Sequence, residues 1–475
     1  MAYAYIKPRV SKKAITDFLK YEKENCNTDI HAFSVIRNGE LLCRVAVPPY
    51  EIGDKKQLFS LSKSFCSTAV GFAVDEGLFK VTDRIVDIFP DDVPEVISEK
   101  LSKMTIHNVL SMSTGHKSCV MNVMKDAENP VKAFMSVELE YNPGEKFVYN
   151  TGATLLASII VQKYTGKTVY DYLYEKYFRY LDSIPEKWDV IPAGYCEGGV
   201  GLYANLYDIE NLGKLYLGKG VLGGRRFLSE EWVNMATSKQ IDNSGNGTED
   251  WCSGYGYQFW RNSRDGFRGD GAYGQLCFVM PSTNTIISVQ CECGASMQDE
   301  VDGVYKLSET ILDNEQISDD EFSDFIDNFY ADEKIEVCNF AGFDKKFALT
   351  ENTHNIKYIE FVNTDSKIEI KLIGKANIQT IYAGNGEHIS NSIHLCGFKP
   401  TITSLIPERV EECRFACSIV GCTEEKLSVK LRYKNAPSSV VIDFIVEDDT
   451  LKINYICRTG AVPEEARNIS GKILM

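Results

Sequence analysis

The stretch from Leu58 to Gly77, LFSLSKSFCSTAVGFAVDEG, carries one charge, Lys63, before Asp75. A run of this length without a polar stripe reads as a helix enclosed on most sides. The chain must wrap a good deal of structure around it. Its 475 residues, 44% of them hydrophobic, suffice for that, and they exceed the roughly 250–300 residues at which one hydrophobic core stops growing, so two domains are expected. Lys63 is out of place near the start of such a helix, because apolar surroundings disfavour its charged form. Ser60 stands three positions earlier, and residues three apart share a helix face. The pair therefore sets an amine beside a hydroxyl, and a serine hydroxyl becomes a strong nucleophile only when a neighbouring base takes its proton. In isolation the spacing is weak, since a solvated serine and lysine on a helix would show the same pattern.

The pattern around this helix is mixed. Residues 11–25 carry an apolar stripe behind Ser11, a helix with its N-cap. HAFSVIRNGELLCRVAV follows as two alternating runs around Asn38-Gly39, a dipeptide that suits a type I′ hairpin because both positions tolerate positive φ. From about 80 to 235 helical periodicity dominates, as in LLASIIVQKYTG and SEEWVNMATSK. GYGYQFW, LCFVMPS and TIISVQCE then read as strands and VDGVYKLSETILDN as a closing helix. Between Asp313 and Glu333 acidic residues recur without Lys or Arg, as in a solvated connector or exposed acidic helix. Beyond it KYIEFVN, KIEIKLIG, IQTIYAG, KLSVKLRYK, SVVIDFIVE and LKINYICR are short alternating runs, the signature of an all-β sandwich or barrel. The expected organisation is an α+β domain over 1–315, an acidic connector over 316–335 and an all-β domain over 336–475.

Composition closes off several functions. A net charge of −16 with scattered basic residues speaks against nucleic acid, whose phosphates need a cationic face, and against anionic membrane surfaces. No apolar stretch reaches about 18 residues, the length of a spanning helix. MAYAYIKPRVSKKAITDFLK lacks the core and cleavage site of a signal peptide, so a cytoplasmic protein is expected, with its 15 cysteines reduced. Cys291 and Cys293, or Cys413, Cys417 and Cys422, lack metal-ligand spacing, and the six histidines do not cluster with them. Neither a metal nor an organic cofactor is called for. A homo-oligomer stays open.

A second segment gives the Ser60–Lys63 pair company. Asn142-Pro143-Gly144-Glu145 leads through Phe147 to Tyr149, with Thr151 two positions on and an apolar helix behind it. Together the S-x-x-K and Tyr149 boxes resemble those of the β-lactamase-related serine hydrolases, the class C β-lactamases and the penicillin-binding-protein-like esterases and peptidases. Thr151 takes the place of an asparagine or serine in that second box. The resemblance runs from about 30 to 312, through MTIHNVLSMSTG, GGVGLYANLYDIENLGKLYL and FLSEEWVNMATS. It implies an antiparallel sheet flanked by helices beside an all-helical subdomain, with the site in the cleft between them. Two departures stand out. The third box, where the family carries a lysine or histidine on an edge strand, aligns with Gly269, Asp270 and Gly271, so the cation that would bind a substrate carboxylate is missing, and Arg268 or Arg261 is left as a spatial substitute. Asp270 would repel an anionic substrate and suit a neutral or cationic one. Met112 stands where many relatives have a histidine, and His107 and His116 fall outside that position. A Ser-His-Asp triad is the rival, but no G-x-S-x-G elbow occurs.

The resemblance implies that Ser60 attacks a carbonyl carbon, that Tyr149 assisted by Lys63 accepts its proton, and that the N–H groups of Ser60 and Ala272 receive the oxyanion, with Gly271, Tyr273 and Thr151 lining the site. The expected function is hydrolysis of a carboxylic ester or a small amide or peptide through an acyl-enzyme. A β-lactam-hydrolysing or penicillin-binding enzyme is the first alternative. A catalytically silent binding or sensor protein on the same scaffold is another, motivated by the missing cation and by Thr151. The β domain is expected to be a structural lid or dimerisation element, with substrate binding as the competing role.

Overall fold

The computed structural model describes residues 4–294, 296–332, 334, 336, 339–352, 356–364, 367–374, 377–396, 410–457 and 468–473. The chain divides into two compact units, one of residues 3–45 and 57–316, the other of residues 1–2, 46–56 and 317–475. No described helix is long and apolar enough to cross a membrane.

The first unit is built on a seven-stranded antiparallel sheet. Its strands are β1 (Ala4–Ile6), β2 (Thr28–Arg37), β3 (Glu40–Ala46), β4 (Trp260–Arg261), β5 (Phe267–Gly271), β6 (Gln275–Met280) and β7 (Thr285–Cys293), in the order β1-β3-β2-β7-β6-β5-β4. The order brings the chain's beginning and its residues 260–293 into one sheet. Helix α1 (Lys12–Asn25) begins at Ser11, whose hydroxyl accepts the Ala14 N–H at 3.0 Å. The β2–β3 hairpin turns at Asn38 and Gly39, both at positive φ, +53° and +74°. The long apolar run is a 3-10 turn, Phe59–Leu61, followed by helix α2 (Ser62–Asp75), with residues 62–73 all buried. Helix α3 (Thr151–Thr165) packs against α2 and stops at Gly166 in the left-handed conformation.

One expected strand does not form. Of GYGYQFW only Trp260 belongs to β4, and Tyr257 and Gln258 form a bend. The hydroxyls of Ser64 and Ser67, both on α2, donate to the carbonyls of Gln258 and Tyr257 at 2.9 and 2.7 Å. These tertiary bonds take the acceptors that a strand ladder would use.

In the second unit the alternation of apolar and polar residues becomes a barrel. Lys367–Gly374, for example, buries Ile368, Ile370 and Leu372 and turns the residues between them outward. Among the described residues the sheet closes where Gly384 pairs with Ser418, making a ring of nine strands, and a tenth, Ile389–Cys396, lies alongside Val410–Cys422. The acidic segment contains a helix, Asp319–Asn328, that buries Phe322 and Ile326 and keeps its carboxylates outward.

A Cβ at Gly39 would meet no atom within 4 Å, so its substitution tests backbone conformation alone. Gly39→Ala is expected to lower stability by about 1–2 kcal/mol, read as an earlier urea midpoint of the first unit.

Candidate active site

Ser60 sits in the 3-10 turn that opens α2 and is partly exposed, while Lys63, a turn further in, is 1% exposed. Phe59, just before Ser60, has φ +47°, a conformation that costs a non-glycine residue about 1–3 kcal/mol and that collects at functional sites. Lys63 Nζ lies 3.0 Å from Ser60 Oγ, 3.3 Å from Thr151 Oγ1 and 2.8 Å from the Gly199 carbonyl oxygen. Burial pushes its ammonium down to about 7.

These three partners satisfy the nitrogen in either protonation state. As an ammonium it donates three times. As a neutral amine it donates to the Gly199 carbonyl and to Thr151, and its lone pair receives the Ser60 hydroxyl proton. The proton can therefore move without rearrangement of the surrounding atoms.

Tyr149 comes to the same point, close enough for the Ser60 side chain to act on its phenol. Lys63 Nζ lies over its ring, 4.9 Å from the centroid. Burial raises the Tyr149 phenol above its ordinary value, against a smaller lowering by the Ser60 side chain. The ring stacks on Trp260, with centroids 5.4 Å apart and planes at 22°, and meets Tyr255 edge-on. Asn150 caps α3 and also accepts the Val120 N–H at 3.0 Å, which fixes the backbone on the C-terminal side of Tyr149.

β5 completes the group. A Cβ on Gly271 would overlap the Leu58 carbonyl oxygen and come within 3.2 Å of the Leu61 nitrogen. Only glycine allows the strand end to close against the Ser60 turn. Ala272 and Tyr273 follow in a tight turn in which the Gly274 N–H donates to the Gly271 carbonyl at 3.1 Å, Tyr273 has φ +63°, and its ring meets Phe59 edge-on at 5.1 Å.

Asp270 is 8% exposed and accepts from Arg268 Nε at 3.0 Å. Arg268 is fully buried, donates also to the Asp250 carbonyl at 3.0 Å, and lies over the Trp251 ring. Arg261 donates to the Thr237 carbonyl at 2.9 Å. Both arginines are thus engaged by oxygens of the protein itself. Burial raises the Asp270 carboxyl and Arg268 holds it down, so the two side chains act as a pair rather than as an isolated anion. His107 Nδ1 is bonded to Tyr257 Oη, and His116, pushed down to about 4 by burial, to Thr114. Among the described residues no group of three or more His, Cys, Asp and Glu side chains could hold a metal ion.

The structure therefore gathers Ser60, Lys63, Tyr149, Thr151 and the Gly271–Tyr273 turn around one point. Several neighbours were not among the expected site residues. Gly199 enters through its carbonyl, which no motif encodes, although Gly198-Gly199-Val200-Gly201 is conspicuously glycine-rich. Trp260 enters as an apolar residue of a supposed strand.

Residues 31–308 match the family model described as Beta-lactamase, and the chain belongs to that family. It is a hydrolase of the β-lactamase fold. A 6-aminohexanoate-dimer hydrolase from Paenarthrobacter ureafaciens is 26% identical over 289 residues, 56% of this chain and 72% of that protein. Among solved structures, a family VIII carboxylesterase is 15% identical with a TM-score of 0.50, covering 64% of this chain and 99% of its own. SurE with D-Leu is 13% identical with a TM-score of 0.51, covering 98% and 99%, a likeness of fold that extends into the barrel.

Gly271→Ala is expected to lift β5 off the Leu58–Leu61 turn and to slow covalent labelling of Ser60 by a fluorophosphonate about a hundredfold. Labelling rate and far-ultraviolet circular dichroism, measured together, separate this from unfolding.

Proposed function

We propose that the protein hydrolyses a carboxylic ester or a small amide or peptide through an acyl-enzyme on Ser60. The observation that carries this is the Lys63 amine, buried, pushed down to about 7 and 3.0 Å from Ser60 Oγ. A base with a pKa near the working pH is the one best suited to general-base catalysis.

Lys63 takes the Ser60 proton as Oγ adds to the substrate carbonyl. The sequence expectation gave this first acceptance to Tyr149. A phenolate there needs a cation beside it, yet burial removes the Lys63 charge near neutral pH and raises the phenol further. Tyr149 serves instead as a neutral donor that passes a proton to the departing oxygen or nitrogen and is reprotonated from Lys63. The N–H groups of Ser60 and Ala272 receive the oxyanion, and losing one such donor typically costs about 10²–10³ in rate. Water then attacks the acyl-enzyme, loses a proton to the same pair and releases the acid, with Ser60 regaining its hydrogen.

The name of the Paenarthrobacter ureafaciens relative supports an amide substrate and that of the carboxylesterase an ester. The Asp270–Arg268 pair in the third box supports a substrate recognised without a carboxylate, which places β-lactams behind both. A silent binding protein would have no use for a lysine desolvated beside a serine.

Turnover of p-nitrophenyl esters or D-amino-acid amides, with little for nitrocefin, is expected, and Ser60→Ala should abolish it. Silence across the panel together with no fluorophosphonate labelling would remove the enzyme reading. The rate should rise with pH through about 7 as Lys63 loses its proton. Asp270 favours the Lys63 ammonium, so Asp270→Asn should move this acid limb to lower pH, which a pH–rate profile of both proteins checks.

A further inference from the structure

Three segments of the first unit converge on Gln258. The residue is 2% exposed and has φ +66°, a backbone conformation that side-chain-bearing residues seldom adopt and that marks functional sites when they do. Its carbonyl accepts the Ser64 hydroxyl at 2.9 Å, and Ser64 is the residue after Lys63. Its Oε1 accepts the Thr154 hydroxyl at 2.7 Å, three residues along α3 from Thr151. Its Nε2 donates to the Leu110 carbonyl at 2.7 Å, and its own N–H reaches the same oxygen at 3.2 Å.

The third contact leads to Tyr149. Two residues beyond Leu110, the Met112 carbonyl accepts the Val148 N–H at 2.8 Å and the Met112 sulfur accepts the Asn150 N–H at 3.2 Å. Those two bonds bracket Tyr149. Gln258 is therefore linked to the supports of Lys63, Thr151 and Tyr149, which come from stretches of chain far apart in sequence.

We propose that Gln258 is a positioning residue whose carboxamide fixes the spacing of Lys63, Tyr149 and Thr151 around Ser60. The inference rests on Ser60 being the nucleophile. A carboxamide suits the place because one end accepts from a hydroxyl while the other donates to a carbonyl that can only accept. Glutamate would lose the second bond and methionine both. When the supports loosen, the lysine gains access to water and its ammonium is less disfavoured.

The test is the rate of fluorophosphonate labelling of the full chain against pH, for wild type, Gln258→Met and Thr154→Val, with Ser60→Ala as blank and a melting curve for each. The second variant keeps the shape of the threonine and removes only its hydroxyl, so it tests the network if Gln258→Met does not fold. Cys66, Cys119, Asp270 and Tyr149, the titratable groups acting on Lys63 or on Ser60, stay unchanged in both. Gln258→Met is expected to label about ten- to a hundredfold more slowly, and Thr154→Val by a smaller factor in the same direction, each with its acid limb moved to higher pH. A merely structural role would lower the melting temperature and leave the limb of the folded fraction in place. Wild-type rate and limb in a folded Thr154→Val, or in a folded Gln258→Met, would overturn the inference. Absence of labelling in the wild type would overturn the Ser60 assignment and this inference with it, a result that needs no variant to recognise.

Discussion

Everything around Ser60 depends on one buried nitrogen. Lys63 has no water to fall back on, so each of its hydrogens must find an oxygen in the protein, and an unpaired one would carry the full desolvation cost of a polar group. Ser60, Thr151 and the Gly199 carbonyl meet that need from three different elements. The arrangement is demanding because a carbonyl oxygen can only accept, while both hydroxyls can reverse their roles. That asymmetry pins the direction toward Gly199 and leaves the two toward the hydroxyls able to reverse, the one toward Ser60 among them. A lysine of ordinary solvation would stay charged at neutral pH and could only donate.

The scaffold can be understood as what is needed to bring those oxygens together. A short turn opens α2 so that Ser60 is accessible while Lys63 is enclosed. Glycine at 271 allows an edge of the sheet to close on that turn. α3 brings Thr151 to the lysine immediately after Tyr149, its own start fixed by the side chain of Asn150. Aromatic packing against Trp260 and Tyr255 holds the tyrosine ring in place, and such ring pairs add about 0.5–1.5 kcal/mol beyond the area they bury.

Much of this is legible in the sequence where the relation is local. Ser60 and Lys63 share a face because of a three-residue spacing, the hairpin turns where Asn38-Gly39 allows it, and the barrel strands announce themselves by alternation. Relations carried by the backbone of distant segments are not legible. The Gly199 carbonyl lies 136 residues from Lys63, and every residue type offers the same carbonyl. Gln258 sits in a run whose apolar alternation suggests a strand, and only the hydroxyls of Ser64 and Ser67, almost two hundred residues away, pull that run into a bend. Val410–Cys422, the longest barrel strand, is obscured by its glutamates and cysteines, which blur the apolar rhythm that marks its neighbours. The Arg268–Asp270 contact was within reach, because residues two apart on a strand point to the same face, but a strand edge by itself does not say whether two opposite charges turn toward each other or toward a ligand.

That last distinction bears on what the site can select. An exposed cation on the edge strand would draw a carboxylate across the site, and a lone aspartate would turn one away. A buried pair does neither strongly, since Arg268 has already spent its charge on Asp270 and on backbone oxygens, and an arginine enclosed by Trp251 and Trp260 cannot swing out without leaving a carboxyl unpaired in apolar surroundings. What remains of Asp270's field acts on Lys63 and Tyr149 instead, favouring the ammonium in one and the neutral phenol in the other. Asp270, standing where the family carries a cation, thus acts on Lys63 and Tyr149. Under the proposed mechanism a substrate gains little from a charged anchor and is held by its acyl carbon, its oxyanion and the aromatic rings beside Tyr149.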